Sequence, residues 1–229
     1  PIHLPDNIDC VIFMQQKLSK QKLDINTNRE NLHIFFDYSD RNHHPDITIN
    51  FNANQLSILT IYGYQAINIY QSDIYHTNNI TIDNLPQNLT KFIINCNNLT
   101  INDNIPDTIT QLLIDCNYHN ISKLPQCLEY LYLGKNTNFL NFPNSLSHLD
   151  LSSNLTITVD ENLTSVTHLV IGPNTKINNF PPFLKYLDII SVNKEIPNKL
   201  PSSIIKVNEY LLQYYVLHII KNMLSLIHI

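Results

Sequence analysis

Apolar side chains recur along this chain in a unit of about 18 to 20 residues. Each unit opens with an apolar residue and a proline, at Leu85-Pro86, Ile105-Pro106, Leu124-Pro125, Phe142-Pro143, Phe180-Pro181 and Leu200-Pro201. An L-x-x-L-x-L-x-x-N pattern follows, as in Leu128, Leu131, Leu133 and Asn136. The two apolar residues of L-x-L point to the same side of an extended strand. Each unit therefore predicts one short strand with one buried face, and stacked units predict a parallel sheet over a continuous apolar core.

This pattern resembles the leucine-rich repeat family over about residues 53 to 207. Its short unit is similar to the FNIP repeats of amoebae and their giant viruses, and to the short repeats of bacterial effectors. The resemblance implies a solenoid with a parallel sheet on its concave face. About 10 residues remain for each return segment, too few for a helix with two loops, so we expect extended, turn or 3₁₀ structure there. The Asn that follows each strand is expected to turn inward and satisfy backbone groups at the bend.

Both ends of such an array need a cover, because a terminal repeat exposes its apolar core. Residues 6 to 20 predict a helix, since an apolar patch follows Asp6, a good helix N-cap. Two β-rich runs, 32 to 38 and 46 to 51, predict a hairpin. Residues 62 to 84 contain only a degenerate unit with its apolar residues out of register.

The C-terminal segment from Val207 to about Ile227 has apolar residues at helical spacing and predicts a capping helix. Its apolar excess leaves room for a homodimer contact. The predicted fold class is thus an α/β repeat, mostly β and coil: a leucine-rich-repeat solenoid with an N-terminal helix and hairpin cap and a C-terminal capping helix. The predicted domains are residues 1–52, 53–207 and 208–229.

The N-terminus carries a second resemblance. Leu4-Pro5-Asp6-Asn7-Ile8, followed by Ile12-Phe13, resembles the opening of an F-box, which implies docking onto a ubiquitin ligase scaffold. The pattern then departs, because Gln16 stands where an apolar residue is expected and no Val-x-x-x-Trp-like portion follows. A plain capping helix is the alternative.

Composition excludes several classes of function. The 3 glycines leave almost nothing for a phosphate-cradling loop, which disfavours a nucleotide-binding enzyme. A net charge of −5 without a cluster of Lys and Arg gives no footprint for nucleic acid. The longest apolar stretch, Tyr210 to Ile220, is too short and too polar to span a membrane. The 4 cysteines lack disulfide-rich or CxxC spacing, which favours a reducing, cytoplasmic compartment, the host cytoplasm or virion if the protein is viral.

The residues between the buried pair of each strand project from the concave face and are the candidates for binding. In the later repeats these positions gather aromatic and charged residues: Tyr130, Tyr132, His148, Asp150, His168, Tyr186 and Asp188. Tyrosine is enriched at binding hot spots, and carboxylates among aromatic rings favour a partner with Lys or Arg. The alternative is a half-polar sheet face without a partner.

Two closer juxtapositions follow from the register. His148 and His168 are expected on successive strands, about 5 Å apart, where a metal site or a pH-sensitive contact is an alternative to two solvated histidines. Cys96 and Cys116 are also expected to be neighbours, as two buried apolar residues rather than a disulfide. No nucleophile is paired with a base, so we predict no catalytic residues, no metal and no cofactor.

The sequence therefore predicts a non-catalytic protein-protein interaction scaffold, with the substrate receptor of a ubiquitin ligase as one form of it. The alternative is a structural or assembly component of a virus particle. No nucleic acid or membrane partner is expected.

Overall fold

The computed structural model describes the chain in these ranges: 2–3, 10–15, 20–38, 46–53, 55–64, 79–102, 104–134, 136–137, 139, 141–154, 156–190 and 200–209. The regular secondary structure in these ranges consists of β-strands and includes no helix. The predicted fold class is therefore wrong in its two helices. The predicted parallel sheet is confirmed. The chain divides into two units, Pro1–Leu128 and Glu129–Ile229, which are described separately.

The first unit contains nine strands in its described part. They are β1 (Ile2–His3), β2 (Cys10–Gln15), β3 (Lys20–Asn26), β4 (Asn31–Tyr38), β5 (Asp46–Asn52), β6 (Ile58–Tyr64), β7 (Asn79–Asp83), β8 (Lys91–Ile101) and β9 (Gln111–His119). They form two parallel columns, because each strand from β1 to β6 pairs with the strand two further along the chain. The first column is β2, β4, β6 and the start of β8, and the second is β1, β3, β5, β7 and the end of β8.

Apolar residues at every second position build the core of this unit. In the first column Leu32 and Ile34 pair in register with Leu59 and Ile61, and all four are fully buried. In the second column the pairs Ile47 with Ile80 and Ile49 with Ile82 repeat the arrangement. Alternation along each strand puts every second side chain inside, so each coil of this unit contributes two buried strand faces where the sequence predicted one.

The two-column topology corrects the predicted N-terminal cap. The predicted hairpin is wrong, because β4 pairs with β2 and β6 whereas β5 pairs with β3 and β7. The predicted helix over 6 to 20 is also wrong, since Cys10–Gln15 is strand β2, parallel to β4. Val11 and Phe13 pair with Ile34 and Phe36, so the apolar residues there have the period of a strand as well as that of a helix.

The supposedly degenerate unit over 62 to 84 contains a regular strand. Strand β7 pairs with β5 and with the end of β8, and Ile80 and Ile82 are buried in register. The prediction of an out-of-register unit is therefore wrong for residues 79 to 83. The repeat pattern contains one strand per unit and follows the first column, whereas β7 belongs to the second column. The apolar residues of β7 therefore look out of register with that pattern.

Polar side chains on the outer side of the second column hydrogen-bond to one another from strand to strand. Asn79 donates from Nδ2 to Asp46 (2.9 Å), and Asn98 donates to Asn79 (2.7 Å). Four residues along the strands, Asn50 donates to Asp24 (3.0 Å). We call these rows the amide ladders. They use up much of the hydrogen-bonding capacity of the face that bears them.

The second unit contains shorter strands. They are β10 (Tyr130–Leu133), β11 (His148–Leu151), β12 (Thr158–Val159), β13 (His168–Ile171), β14 (Lys176–Ile177), β15 (Tyr186–Ile189) and β16 (Lys206–Glu209). Strands β10, β11, β13, β15 and β16 pair in that order, all parallel, and β12 pairs with β14. The buried leucines and isoleucines are Leu131, Leu133, Leu149, Leu151, Leu169, Ile171, Leu187 and Ile189. These are the L-x-L positions, as the repeat pattern predicted.

The inward asparagine is found in one repeat of this unit. Asn154 is buried, donates to the carbonyls of Gly134 (2.8 Å) and Thr137 (2.7 Å), and accepts from the amides of Thr156 and Ile157. The prediction is wrong for the equivalent Asn136 and Asn174, which are exposed. There the next residue, Thr137 or Thr175, is buried in place of the asparagine.

The predicted C-terminal helix is wrong at its start, because Val207 lies in strand β16, which pairs with β15. The rest of that prediction, with its dimer contact, falls on residues 210–229, outside the described residues. In the part of the chain that the structure describes, no helix has the length and apolar character that a membrane crossing requires.

Candidate functional site

Four rings form a column on the face of the second unit that points away from its core. Tyr130, His148, His168 and Tyr186 are the first residues of β10, β11, β13 and β15, and they pair in register. The next residue of each strand is a buried leucine, and side chains alternate along a strand, so these four lie on the opposite face. All four are partly exposed. We call this column the aromatic ladder.

The rings of the ladder contact one another. His148 and His168 are stacked with centroids 4.0 Å apart and planes 17° apart, and His168 stacks on Tyr186 at 4.1 Å and 18°. Tyr130 is tilted by 33° at 6.3 Å from His148. The strand spacing of about 4.8 Å brings registered rings into stacking range. Because the inner ring faces are covered by their neighbours, the ladder offers mainly ring edges to a ligand.

Each histidine of the ladder contacts the hydroxyl of the residue before it. Nδ1 of His148 lies 2.7 Å from Oγ of Ser147, and Nδ1 of His168 lies 3.2 Å from Oγ1 of Thr167. Burial lowers the pKa of His148, against a smaller opposite effect of Glu129. Burial also lowers the pKa of His168, and the neighbouring His148 lowers it further. The ladder therefore favours neutral imidazoles.

Asp150 is an internal support of the ladder. It is 3% exposed, and its Oδ1 accepts from the backbone amide of Ser152 (2.9 Å). Burial, the charge of Asp150 and a hydrogen bond to that carboxylate together raise the pKa of Tyr130, so the Tyr130 hydroxyl stays protonated and donates to Asp150. This network fixes one end of the ladder.

A second column runs beside the ladder, two residues along each strand. It contains Tyr132, Asp150, Val170, Asp188 and Asn208 in register. Tyr132, Val170 and Asp188 are partly exposed, and Asp188 accepts from Nδ2 of Asn208 (2.7 Å). The seven candidate residues of the sequence therefore share one face of the second unit, with Asp150 buried among them.

Four further residues belong to this site and were missed from the sequence. Ser147 and Thr167 precede the histidines, whereas Lys206 and Asn208 of β16 extend the two columns. The dipeptide Leu200-Pro201 marks the start of the repeat that contains β16. Aligning that repeat with its predecessors would have placed Lys206 next to Tyr186.

The histidine pair has the wrong geometry for a metal ion. A metal bound to an imidazole nitrogen lies in the plane of that ring, and two nearly parallel planes 4.0 Å apart do not meet near the rings. No group of three or more His, Cys, Asp or Glu suited to a metal occurs among the described residues. The arrangement favours direct stacking of His148 on His168 over a shared metal ion.

The cysteine pair lies in the first unit. Cys96 and Cys116 pair in register on β8 and β9, and both are buried free thiols with Sγ atoms 3.2 Å apart. Burial, followed by the contact with Cys96, raises the pKa of Cys116 well above its usual range. The predicted neighbourhood is confirmed, and the thiols pack as part of the core.

Comparison with known proteins gives a weak structural likeness. No family model matches the sequence, and no curated protein matches it. Among solved structures the chain is similar to YopM from Yersinia enterocolitica WA-314, at 17% sequence identity and a TM-score of 0.47. The match covers 90% of this chain and 47% of that protein, so the chain spans less than half its length. At this level the likeness carries no argument, and the repeat architecture rests on the sequence pattern and the parallel register described above.

Proposed function

We propose that this chain is a non-catalytic protein-interaction module that binds a partner through the aromatic ladder and the column beside it. The observation that carries the proposal is the ladder itself, four partly exposed rings from successive strands on one face. Rings held in register on a rigid sheet offer contact area at little entropic cost, which is typical of binding hot spots.

The finer functional hypotheses receive unequal support. The ubiquitin-ligase role needs an F-box helix, and strand β2 stands where that helix was expected. The proposal therefore omits that role. A stiff structural component, such as a part of a virus particle, is the second candidate, because the amide ladders link successive coils of the first unit. Binding that depends on the aromatic ladder separates the first function from the second.

The test is selection of a random-peptide display library on the immobilised full chain. Enriched peptides are then titrated against Tyr132→Ala, with Tyr118→Ala as the matched control, because Tyr118 is 63% exposed and lies in the first unit. We expect Tyr132→Ala to weaken binding about tenfold, as loss of a hot-spot tyrosine does. The Tyr118 variant should bind like the wild type. Equal binding by all three proteins, or no enriched peptide, contradicts the proposal.

A further inference from the structure

We propose that the partner presents an acidic segment, one carboxylate of which is held by His148 and His168 together. The inference rests on the proposed function and names the chemistry that the ladder recognises. It reverses the expectation of a basic partner, which depended on Asp150 and Asp188 being available. Asp150 is buried and bonded to Ser152, and Asp188 accepts from Asn208.

The hydroxyls beside the ladder set the hydrogen-bonding roles of the two imidazoles. The carbonyl of Glu129 already accepts from the amides of Ser147 (3.0 Å) and His148 (2.9 Å), so the Ser147 hydroxyl is a third donor that competes with them. The Ser147 hydroxyl lies 3.2 Å from that carbonyl but 2.7 Å from Nδ1 of His148. It therefore donates to Nδ1, which leaves the proton of the neutral ring on Nε2.

The same count applies one strand further on. The carbonyl of Ser147 accepts from the amides of Thr167 and His168, both at 2.9 Å. The Thr167 hydroxyl lies 3.4 Å from that carbonyl and 3.2 Å from Nδ1 of His168, so it too donates to the ring. Both histidines consequently keep their proton on Nε2, the nitrogen on the other side of the ring from the hydroxyl.

Stacking places these two Nε2–H groups side by side. The rings are nearly parallel with centroids 4.0 Å apart, and each has its Nδ1 turned to the hydroxyl of the preceding residue, so the two Nε2 atoms share one orientation. A carboxylate has two acceptor oxygens and takes one N–H from each ring. A Lys ammonium has donors only and finds no acceptor there.

The charged groups around the pair are mixed, with exposed lysines on one side. Glu129 acts on His148, and Asp188 and Lys185 act on His168. Asp150 lies buried beside the pair on β11, and Lys206 follows Tyr186 in the ladder on β16. Lys185 and Lys206 are exposed, whereas Asp188 is bonded to Asn208. Lys185 and Lys206, at the β15 and β16 end of the ladder, are the exposed cations that an acidic chain can reach beside the histidine pair.

Binding of a carboxylate couples to pH. An anion beside an imidazole stabilises its protonated form, so the complex takes up a proton that the free protein does not hold. Affinity for an acidic segment should then rise as pH falls, by up to about tenfold per pH unit for each proton taken up. A phosphate polymer is disfavoured as the ligand, because it needs several cations facing its phosphates and the sequence has no cluster of Lys and Arg.

The experiment uses fluorescein-labelled octaglutamate, octaglutamine and octalysine, with a thymidine octanucleotide as the phosphate probe. Each is titrated with the full chain at about pH 5.5 and about pH 8, below and above the range in which histidine titrates. The double variant His148→Asn with His168→Asn is compared with wild type. His119→Asn in the first unit is the matched control.

We expect octaglutamate to bind wild type and the His119 variant at least about tenfold more tightly at the lower pH, and the double variant to lose that gain. Stronger binding of octalysine, equal binding of octaglutamine, or a tighter complex with the oligonucleotide overturns the acidic-segment assignment. If octaglutamate fails while the library peptides still depend on Tyr132, the interaction function stands and the acidic partner falls. If the library peptides ignore Tyr132 as well, both fall.

Discussion

In both units the inward strand positions hold buried apolar residues. The units differ in how exposed their outward strand positions are. In the first unit the residues between the buried pairs, His33, Thr60 and Ile93, are themselves 6%, 2% and 3% exposed. At the same repeat position in the second unit, Tyr132 and Asp188 are partly exposed. The same place in the L-x-L unit is thus covered at β4, β6 and β8 and open at β10, β13 and β15, whereas Asp150 of β11 is covered and Leu113 of β9 is partly exposed. The repeat pattern alone therefore does not say which face is available to a partner.

The outward polar residues also interact differently in the two units. In the first, asparagines and aspartates form the amide ladders and satisfy one another. In the second, rings stack and leave donors at their edges. Hydrogen bonds that close within a row leave little to offer a ligand, whereas stacked rings keep their edge groups available. This contrast places the proposed binding function in the second unit.

The largest loss of stability should come from substitutions at the inward apolar positions, which are buried in both units. Leu131→Asp and Ile114→Asp each force a charge into a site with 0% exposure, one in each unit. The cost is several kcal/mol, on the order of the whole stability of a domain, so we expect cooperative structure to be lost in both variants. Circular dichroism during thermal unfolding measures it. Tyr132→Asp, one residue from Leu131 but partly exposed, should still melt cooperatively, and a folded Leu131 variant would refute the buried register.

A smaller effect separates two asparagines at the same repeat position. Asn154→Ala removes four hydrogen bonds of a buried side chain and should lower the free energy of unfolding by about 2 to 3 kcal/mol or more. Asn117→Ala removes an exposed side chain that donates to Asn97, and should cost under about 1 kcal/mol. Chemical denaturation of both variants is the measurement. Equal losses would show that the turn, rather than burial, sets the cost.

The smallest effect is a pH dependence that belongs to the aromatic ladder. The pKa values of His148 and His168 are lowered from 6.5 in the folded chain, so the unfolded chain takes up protons first as pH falls. Stability is then unaffected by these groups above about pH 6.5 and decreases below it. The melting temperature of the double variant His148→Asn with His168→Asn should fall less between about pH 7.5 and about pH 5 than that of the wild type. A wild type whose stability increased on acidification through this range would contradict the lowered pKa values.

Strands β10, β11, β13 and β15 of the second unit could be predicted from the sequence. They begin at the expected positions, because one strand per unit with an L-x-L core matches the repeat pattern. The site residues followed from simple alternation. Burial of Asp150 could not be inferred, since it depends on the hydroxyl of Tyr130 on the neighbouring strand and on the local turn at Ser152.

The N-terminal strands of the first unit could not be predicted from the sequence, for a physical reason. Val11 and Phe13 fit a strand, whereas Ile8, Val11 and Ile12 fit a helix, so a short apolar run did not decide between the two. The runs 32–38 and 46–51 looked like hairpin partners because neighbours in sequence often pair. Only the spatial arrangement shows that each belongs to a different column. A search for two alternating patterns per unit would have found β7 as well.

Strand β8 belongs to both columns of the first unit, and this has an evolutionary consequence. Its residues 91–95 pair with β6 and residues 98–101 pair with β7, so one uninterrupted stretch of backbone fixes the phase of both sheets. A single-residue insertion within β8 would move the side chains of one of its two parts to the opposite face of the sheet, while the other part would keep its register. Strand β9 pairs with both parts of β8 in the same way. From β1 to β7 the chain instead passes between columns through connections, as from Tyr64 to Asn79, whose length can drift. Descendants of this gene should accordingly vary freely in those connections and admit no gap between Lys91 and Ile101.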